Sequence, residues 1–249
     1  MQAAPERIIP ENEIPIDADD FEFMSPSGEI IARDVSWDDF MMHDEWERVE
    51  WVDGTVVKMP GIELSHDGLT AFLRMVFTLF LEFAQIPGRV FQDPVLIRLR
   101  GVRAGRSPDL MVLLPTNNAE YFHNYVRGVP DLIIEIVSPT GDRRDRVEKF
   151  REYEKAGVPE YWILDSRFQD AQFYQLGDDK EYERILPDEN GVYITRILPQ
   201  LRVPLAWFWR DPKPGILELV KFVSEMLDAP AQLTSPTADA PRSDDESGE

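Results

Sequence analysis

Asp131-Leu132-Ile133-Ile134-Glu135-Ile136-Val137 is the stretch on which the fold turns. Its aliphatic, β-branched run lacks polar alternation, which predicts a strand covered on both faces. One residue breaks the pattern. Glu135, set among Ile133, Ile134, Ile136 and Val137, would cost several kcal/mol to bury as a bare charge. It therefore predicts a structural acid with a neutralising partner or a carboxylate that holds a cation.

Downstream, Pro139-Thr140-Gly141 stops the strand, and residues 142–156 read as a charged amphipathic helix closed by Gly157 and Pro159. Val147, Phe150 and Tyr153 form its apolar stripe. Tyr153 lies one turn beyond Lys149, so the ammonium can lean along the stripe toward the sheet. Residues 161–164 and 171–176 predict two antiparallel strands and 192–197 another, with a final helix within 212–228.

Upstream, residues 95–99 and 108–114 predict strands joined by a Gly- and Arg-containing turn over 100–107, and Asp109 opens the second of them. Residues 66–83 carry Leu69, Phe72, Leu73, Val76, Leu79, Phe80 and Phe83 at helical spacing, with Ser65 as a candidate cap. Asp53-Gly54 suits a tight turn between two strands over 48–59, and 36–46 is helix-like. Residues 117–128 receive no assignment. The order predicts an α/β domain, a mixed sheet flanked by helices.

The 249 residues, 43% hydrophobic and with 27 aromatic side chains, suffice for one well-filled core. Residues 1–22 and 229–249, acidic and poor in large apolar groups, read as tails around a domain at 23–228. Absence of cysteine excludes disulfides and thiolate metal sites. The longest apolar run, 69–84, contains Arg74 and Glu82 and is too short for a bilayer span, so no membrane association is expected. Met1-Gln2-Ala3-Ala4-Pro5-Glu6 shows no signal-peptide character, and a cytoplasmic location is the default expectation.

A net charge of -21 counts against nucleic-acid binding, since phosphate backbones are met by surplus Lys and Arg. Part of it resides in the two tails. Between Arg89 and Arg106 five arginines face Asp93 alone, a local basic strand and loop that either faces phosphate or is merely solvated. His43, His66 and His123 show no paired metal-ligand spacing, and neither a phosphate-cradling GxxxxGK[ST] nor a dinucleotide GxGxxG occurs.

Four segments carry a resemblance. Ser107-Pro108-Asp109-Leu110 comes first, followed by Val129-Pro130-Asp131-Leu132-Ile133-Ile134-Glu135-Ile136-Val137-Ser138-Pro139. Asp145 with Glu148-Lys149 and Tyr153 follows, then Gly157-Val158-Pro159-Glu160-Tyr161-Trp162-Ile163-Leu164-Asp165. Together they closely resemble the Uma2 family of restriction-endonuclease-like proteins, DUF820-like members of the PD-(D/E)xK nuclease superfamily. Glu50-Trp51-Val52-Asp53-Gly54 is similar to the acid-containing hairpin that precedes the core there, and the resemblance covers roughly residues 46–205.

The resemblance implies a restriction-endonuclease-like mixed β-sheet core flanked by helices. It also implies metal-dependent hydrolysis of phosphodiester bonds in nucleic acid, expected to be DNA, with Asp109 and Glu135 binding Mg²⁺ or Mn²⁺. The backbone carbonyl of Ile136 is a further ligand on this reading, and Glu50 an outer acid. The sequence departs from the family's basic pattern at Val137, where a lysine two residues after the acid is expected, and Lys149 is the candidate replacement. A homodimer would suit cleavage of two strands.

Structural readings stand beside these. Glu135 could be a strand acid neutralised by an arginine or a helix N-terminus, Asp109 a cap of the 100–107 turn, and Glu50 a hairpin residue. Lys149 could be a solvated partner of Asp145 or Glu152, and Asp131 reads as a turn residue. The position-137 departure and the acidic surface motivate an alternative function, a catalytically inactive nuclease-fold binding or assembly module.

Overall fold

The computed structural model describes residues 28–43, 45–59, 61, 64–138 and 144–228. The two expected tails, 1–22 and 229–249, and the strand stop at Pro139-Thr140-Gly141 lie outside the described residues.

Strands β1 (Glu29–Ala32), β2 (Val49–Val52) and β3 (Thr55–Lys58) accompany the short helix α1 (Trp37–Phe40), all that remains of the helix expected over 36–46. Asp53 and Gly54 take the positive φ values of 42° and 81° that a tight turn joining antiparallel strands requires. Helix α2 (Leu64–Phe83) already includes Ser65, which is therefore not its cap. Strands β4 (Arg89–Gln92), β5 (Leu96–Leu99), β6 (Ala104–Arg106) and β7 (Leu110–Leu113) follow. The turn expected over 100–107 thus contains a strand.

The unassigned 117–128 segment forms a hairpin of β8 (Glu120–Tyr121) and β9 (Tyr125–Gly128), ahead of the central β10 (Leu132–Ile136). The helix expected over 142–156 is described from a π-helical turn, Arg144–Lys149, which runs into α3 (Phe150–Ala156). Gly157 closes it at φ 84°, a left-handed angle that lacks a penalty only for glycine. Strands β11 (Glu160–Asp165), β12 (Asp170–Leu176), β13 (Tyr182–Ile185), β14 (Val192–Ile194) and β15 (Arg202–Pro204) precede helices α4 (Ala206–Trp209) and α5 (Ile216–Asp228).

A six-stranded sheet in the order β13-β12-β11-β10-β7-β4 carries the core. β10 pairs with β7 antiparallel and with β11 parallel, and the helical crossover between β10 and β11 is what a parallel pair demands. Leu132, Ile134 and Ile136 face one way, joining Leu110, Val112 and Trp162 against the Leu69, Phe72, Val76 and Phe80 stripe of α2. Ile133 and Val137 face the other way, with Met111, Tyr161 and Ile163. There they meet Ile97, Leu99 and Val126 of a seven-stranded sheet ordered β1-β3-β2-β6-β5-β9-β8. Burying each such side chain contributes about 1.5–3 kcal/mol, so β10 is locked by both layers. Position 135 therefore opens into the space between the two sheets.

Candidate functional site

Register places the acids. Leu132 opposes Val112, Ile133 opposes Met111 and Ile134 opposes Leu110, so the same pairing extended by one residue sets Asp109 across from Glu135. Directly opposed residues share a face, about 4.5–5.5 Å apart at Cβ. Asp109 Oδ2 accepts the Ile136 amide at 2.6 Å, which ties the loop before β7 to β10. His66, on the first turns of α2, lies with Nε2 3.0 Å from Asp109 Oδ1. Its Nδ1 is buried without a hydrogen-bond partner.

Glu135 is 2% exposed and Lys149 1% exposed, with the ammonium 2.8 Å from Glu135 Oε1. The same ammonium is 3.4 Å from Glu50 Oε1 and 3.4 Å from Asp145 Oδ1. Tyr153 donates to Glu135 Oε1 at 2.7 Å, so the two residues that share a helical face converge on one oxygen. The π-helical turn buries Arg144, Asp145, Glu148 and Lys149, widening the helix where its polar side chains face the sheet. Lys149 is thus not a solvated surface residue, and Glu152 is not its partner.

Glu50 is fully buried and is more than a hairpin residue. Trp51 opposes Gly105, so the pairing extended by one residue brings Glu50 across from Arg106, and the Arg106 Nη1 to Glu50 Oε2 distance is 2.7 Å. Arg106 uses Nε and Nη2 to grip both oxygens of Glu152 at 2.7 and 2.6 Å, and the Ser107 amide donates to Glu50 Oε1 at 3.1 Å. A continuous chain from Glu152 through Arg106, Glu50 and Lys149 to Glu135 therefore stitches the two sheets and α3 together.

The expected basic stretch has a different use. Arg106 is internal, and Arg98 donates to the carbonyls of Val102 and Ala104 beneath the rings of Trp37 and Trp51. Arg103 pairs with Asp53, and Arg100 with Asn118 and Glu120. Much of the local positive charge is spent within the protein. Asp131 is the turn residue expected, accepting from the Leu114 amide and Asn117 at 2.7 and 2.9 Å.

Burial pushes the Glu135 carboxyl well above the usual range; Asp109, Asp145 and Glu50 add to the rise and Lys149 opposes it. Asp145 is likewise raised by burial, to about 6, with Lys149 again opposing. For Glu50, burial acts upward but Lys149, Arg106 and Arg144 outweigh it and hold the carboxyl at about 2. Lys149 is raised despite burial, because Glu135, Glu50 and Asp145 favour its charged form. His66 is raised because the bond to Asp109 outweighs burial.

These directions bear on whether the residues fit a cation. Glu50 is satisfied by its cations, whereas Glu135 and Asp145 hold protons more tightly than free acids do. The cluster around Lys149 has more carboxylate than positive charge to balance it, an imbalance that a divalent ion would relieve. Among the described residues no group of three or more His, Asp or Glu is disposed to hold a metal by itself. Two carboxylates completed by waters and substrate phosphate are an ordinary Mg²⁺ arrangement, so the donor set fits.

His66 was not legible as a site residue from sequence. Its signal, a histidine at the start of the long amphipathic helix, acquires meaning only once α2 is seen to begin beside β7. Arg106, read only as part of a basic stretch, is likewise identified by the β2–β6 pairing.

The Uma2 family model, described as "Putative restriction endonuclease", matches residues 37–206. No curated protein matches. Among solved structures, "a putative nuclease belonging to DUF820" from Anabaena variabilis ATCC 29413 superposes with a TM-score of 0.54. It is 17% identical, and the match covers 76% of this chain and 99% of that one. At that identity the likeness shows the fold alone, the restriction-endonuclease-like α/β arrangement. The family match spans more than half of the sequence and includes Glu50, Asp109, Glu135 and Lys149, and on that basis the chain belongs to the Uma2 family.

Proposed function

We propose that the protein is a metal-dependent endonuclease that hydrolyses phosphodiester bonds in DNA, with its nuclease domain at residues 23–228. What supports this reading is the β7–β10 register, which extended by one residue sets Asp109 across from Glu135, and the buried ammonium of Lys149 2.8 Å from Glu135. Asp109, Glu135 and the carbonyl of Ile136 would hold Mg²⁺ or Mn²⁺. When bound, such an ion neutralises charge on the scissile phosphate and lowers the pKa of a coordinated water.

The chain's own residues supply the rest. His66 and the Ile136 amide fix the Asp109 carboxylate by one hydrogen bond to each oxygen, which leaves lone pairs on both. Lys149, held by Glu135, Glu50 and Asp145, keeps its charge and stands where it can orient the attacking water or stabilise charge developing on phosphate oxygen. On this reading it stands in, from the following helix, for the lysine absent at position 137. Glu50 acts from outside, orienting Lys149 while Arg106 neutralises it.

The test is cleavage of plasmid and single-stranded DNA with Mg²⁺ or Mn²⁺ by the wild type, Asp109→Asn and Glu135→Gln. Loss of cleavage in both variants is expected. Equal activity in all three rejects the assignment, and intact DNA with every protein favours a non-catalytic binding module.

A further inference from the structure

A cavity of about 220 Å³ is lined by Phe40, Trp46, Arg48, Asp93, Ser107 and Asn124 among others. It is larger than a trapped water needs and smaller than the roughly 300 Å³ or more of pockets that hold drug-sized ligands, a size suited to one ring system. One wall is aromatic: Phe40 and Trp46 lie 6.0 Å apart at an interplanar angle of 38°, and His43 stacks on Trp46 at 3.9 Å.

The polar wall is built around Asp93. Its Oδ2 pairs with Arg48 at 2.5 Å and its Oδ1 accepts from Ser107 Oγ at 2.8 Å. Arg48 and Asp93 cancel in charge, so this wall suits a neutral polar ring better than a phosphate, which the carboxylate would repel. The carboxylate, with a lone pair left on each oxygen, and the Asn124 amide together offer acceptors and donors of the kind with which proteins read base edges.

Its position ties the cavity to the proposed chemistry. Ser107 stands two residues before Asp109, and its amide holds Glu50. Ser107 thus joins the two regions, its hydroxyl bonding Asp93 on the cavity wall and its amide bonding Glu50.

We propose that this cavity is a nucleobase pocket: one unpaired base of the substrate strand lodges against Phe40 and Trp46 while its backbone passes Asp109 and Glu135. The inference rests on the nuclease reading and adds a substrate class to it, single-stranded or locally opened nucleic acid, since a paired base would first have to leave its stack.

The test uses the full chain in EDTA and fluorescent single-stranded DNA octamers, one intact and eight each carrying one abasic site. Binding is measured for the wild type, Trp46→Ala, Trp46→Phe and Asn124→Ala. For the wild type, an abasic site at one position is expected to weaken binding about tenfold, the scale of one base stacked on an aromatic ring. Trp46→Phe keeps that penalty, Trp46→Ala abolishes it, and the exposed Asn124→Ala reduces it. No position-specific penalty in the wild type, or an undiminished one in both Trp46→Ala and Asn124→Ala, overturns the pocket. If metal-dependent cleavage requiring Asp109 persists in that case, the nuclease reading survives alone; if neither binding nor cleavage occurs, both fall.

Discussion

Replacing Lys149 by Met removes one charge from the centre of three buried carboxylates while keeping most of the side-chain volume. The ammonium lies 2.8 Å from Glu135, 3.4 Å from Glu50 and 3.4 Å from Asp145, and Glu135 is 2% exposed. Taking one partner from a buried pair costs about 3–5 kcal/mol because the other charge stays buried. For a domain of this size that is a fall of roughly 6–20 °C in Tm. The penalty has a sign in pH. Burial already raises Glu135 and brings Asp145 to about 6, and Lys149 is the charge that pulls both down. Such acids bind protons more tightly folded than unfolded, so their contribution is present below the unfolded value and is lost as pH rises through the folded one. Without Lys149 the folded values rise further. The deficit of the Lys149→Met protein should therefore be largest at about pH 8 and shrink toward pH 5. Urea denaturation of both proteins across that range measures it. A variant as stable as the wild type at the alkaline end, or a deficit that grows on acidification, would mean that Lys149 does not neutralise these acids.

Three further outcomes are expected. His66→Ala leaves the fold intact but weakens Mn²⁺ binding by about 10- to 100-fold, the usual cost of losing a residue that orients a ligand; titration calorimetry measures this. Gly105→Ala places a Cβ 2.1 Å from Trp37 Cζ3, and Trp37 is hemmed in by the rings of Trp51 and Tyr125, so thermal melting should show a loss of about 1–3 kcal/mol. On the proposed function Asp109→Asn and Glu135→Gln each reduce Mg²⁺-dependent cleavage about a hundredfold or more, since several kcal/mol of charge stabilisation would depend on the ion they are proposed to hold; gel assays of plasmid conversion measure it.

Much of this architecture was written locally. The run from Leu132 to Ile136 carries its own strand signal, the Asp53-Gly54 turn dictates a hairpin, and the α2 stripe and the Gly157 stop are periodicity and backbone chemistry. Strands β6 and β9 were hidden because Ala104-Gly105-Arg106 and Tyr125-Val126-Arg127-Gly128 have little apolar periodicity. They are strands because β2, β5 and β8 offer them hydrogen-bond partners. The site divides in the same way. Glu135 is conspicuous as an acid in an aliphatic run, and Lys149 shares a helical face with Tyr153. The company of Glu50, Arg106 and His66 is a matter of register between strands distant in sequence, and composition carries no trace of that.

On the proposed function Asp109 and Glu135 grip one divalent cation. Calorimetric titration of the metal-free protein with Mn²⁺ tests it most directly, alongside Asp109→Asn and Glu135→Gln proteins shown to be folded by circular dichroism. One ion per chain bound by the wild type and strongly weakened binding in each variant are expected. Mn²⁺ binding unchanged in both variants, or no binding by the wild type, would contradict it.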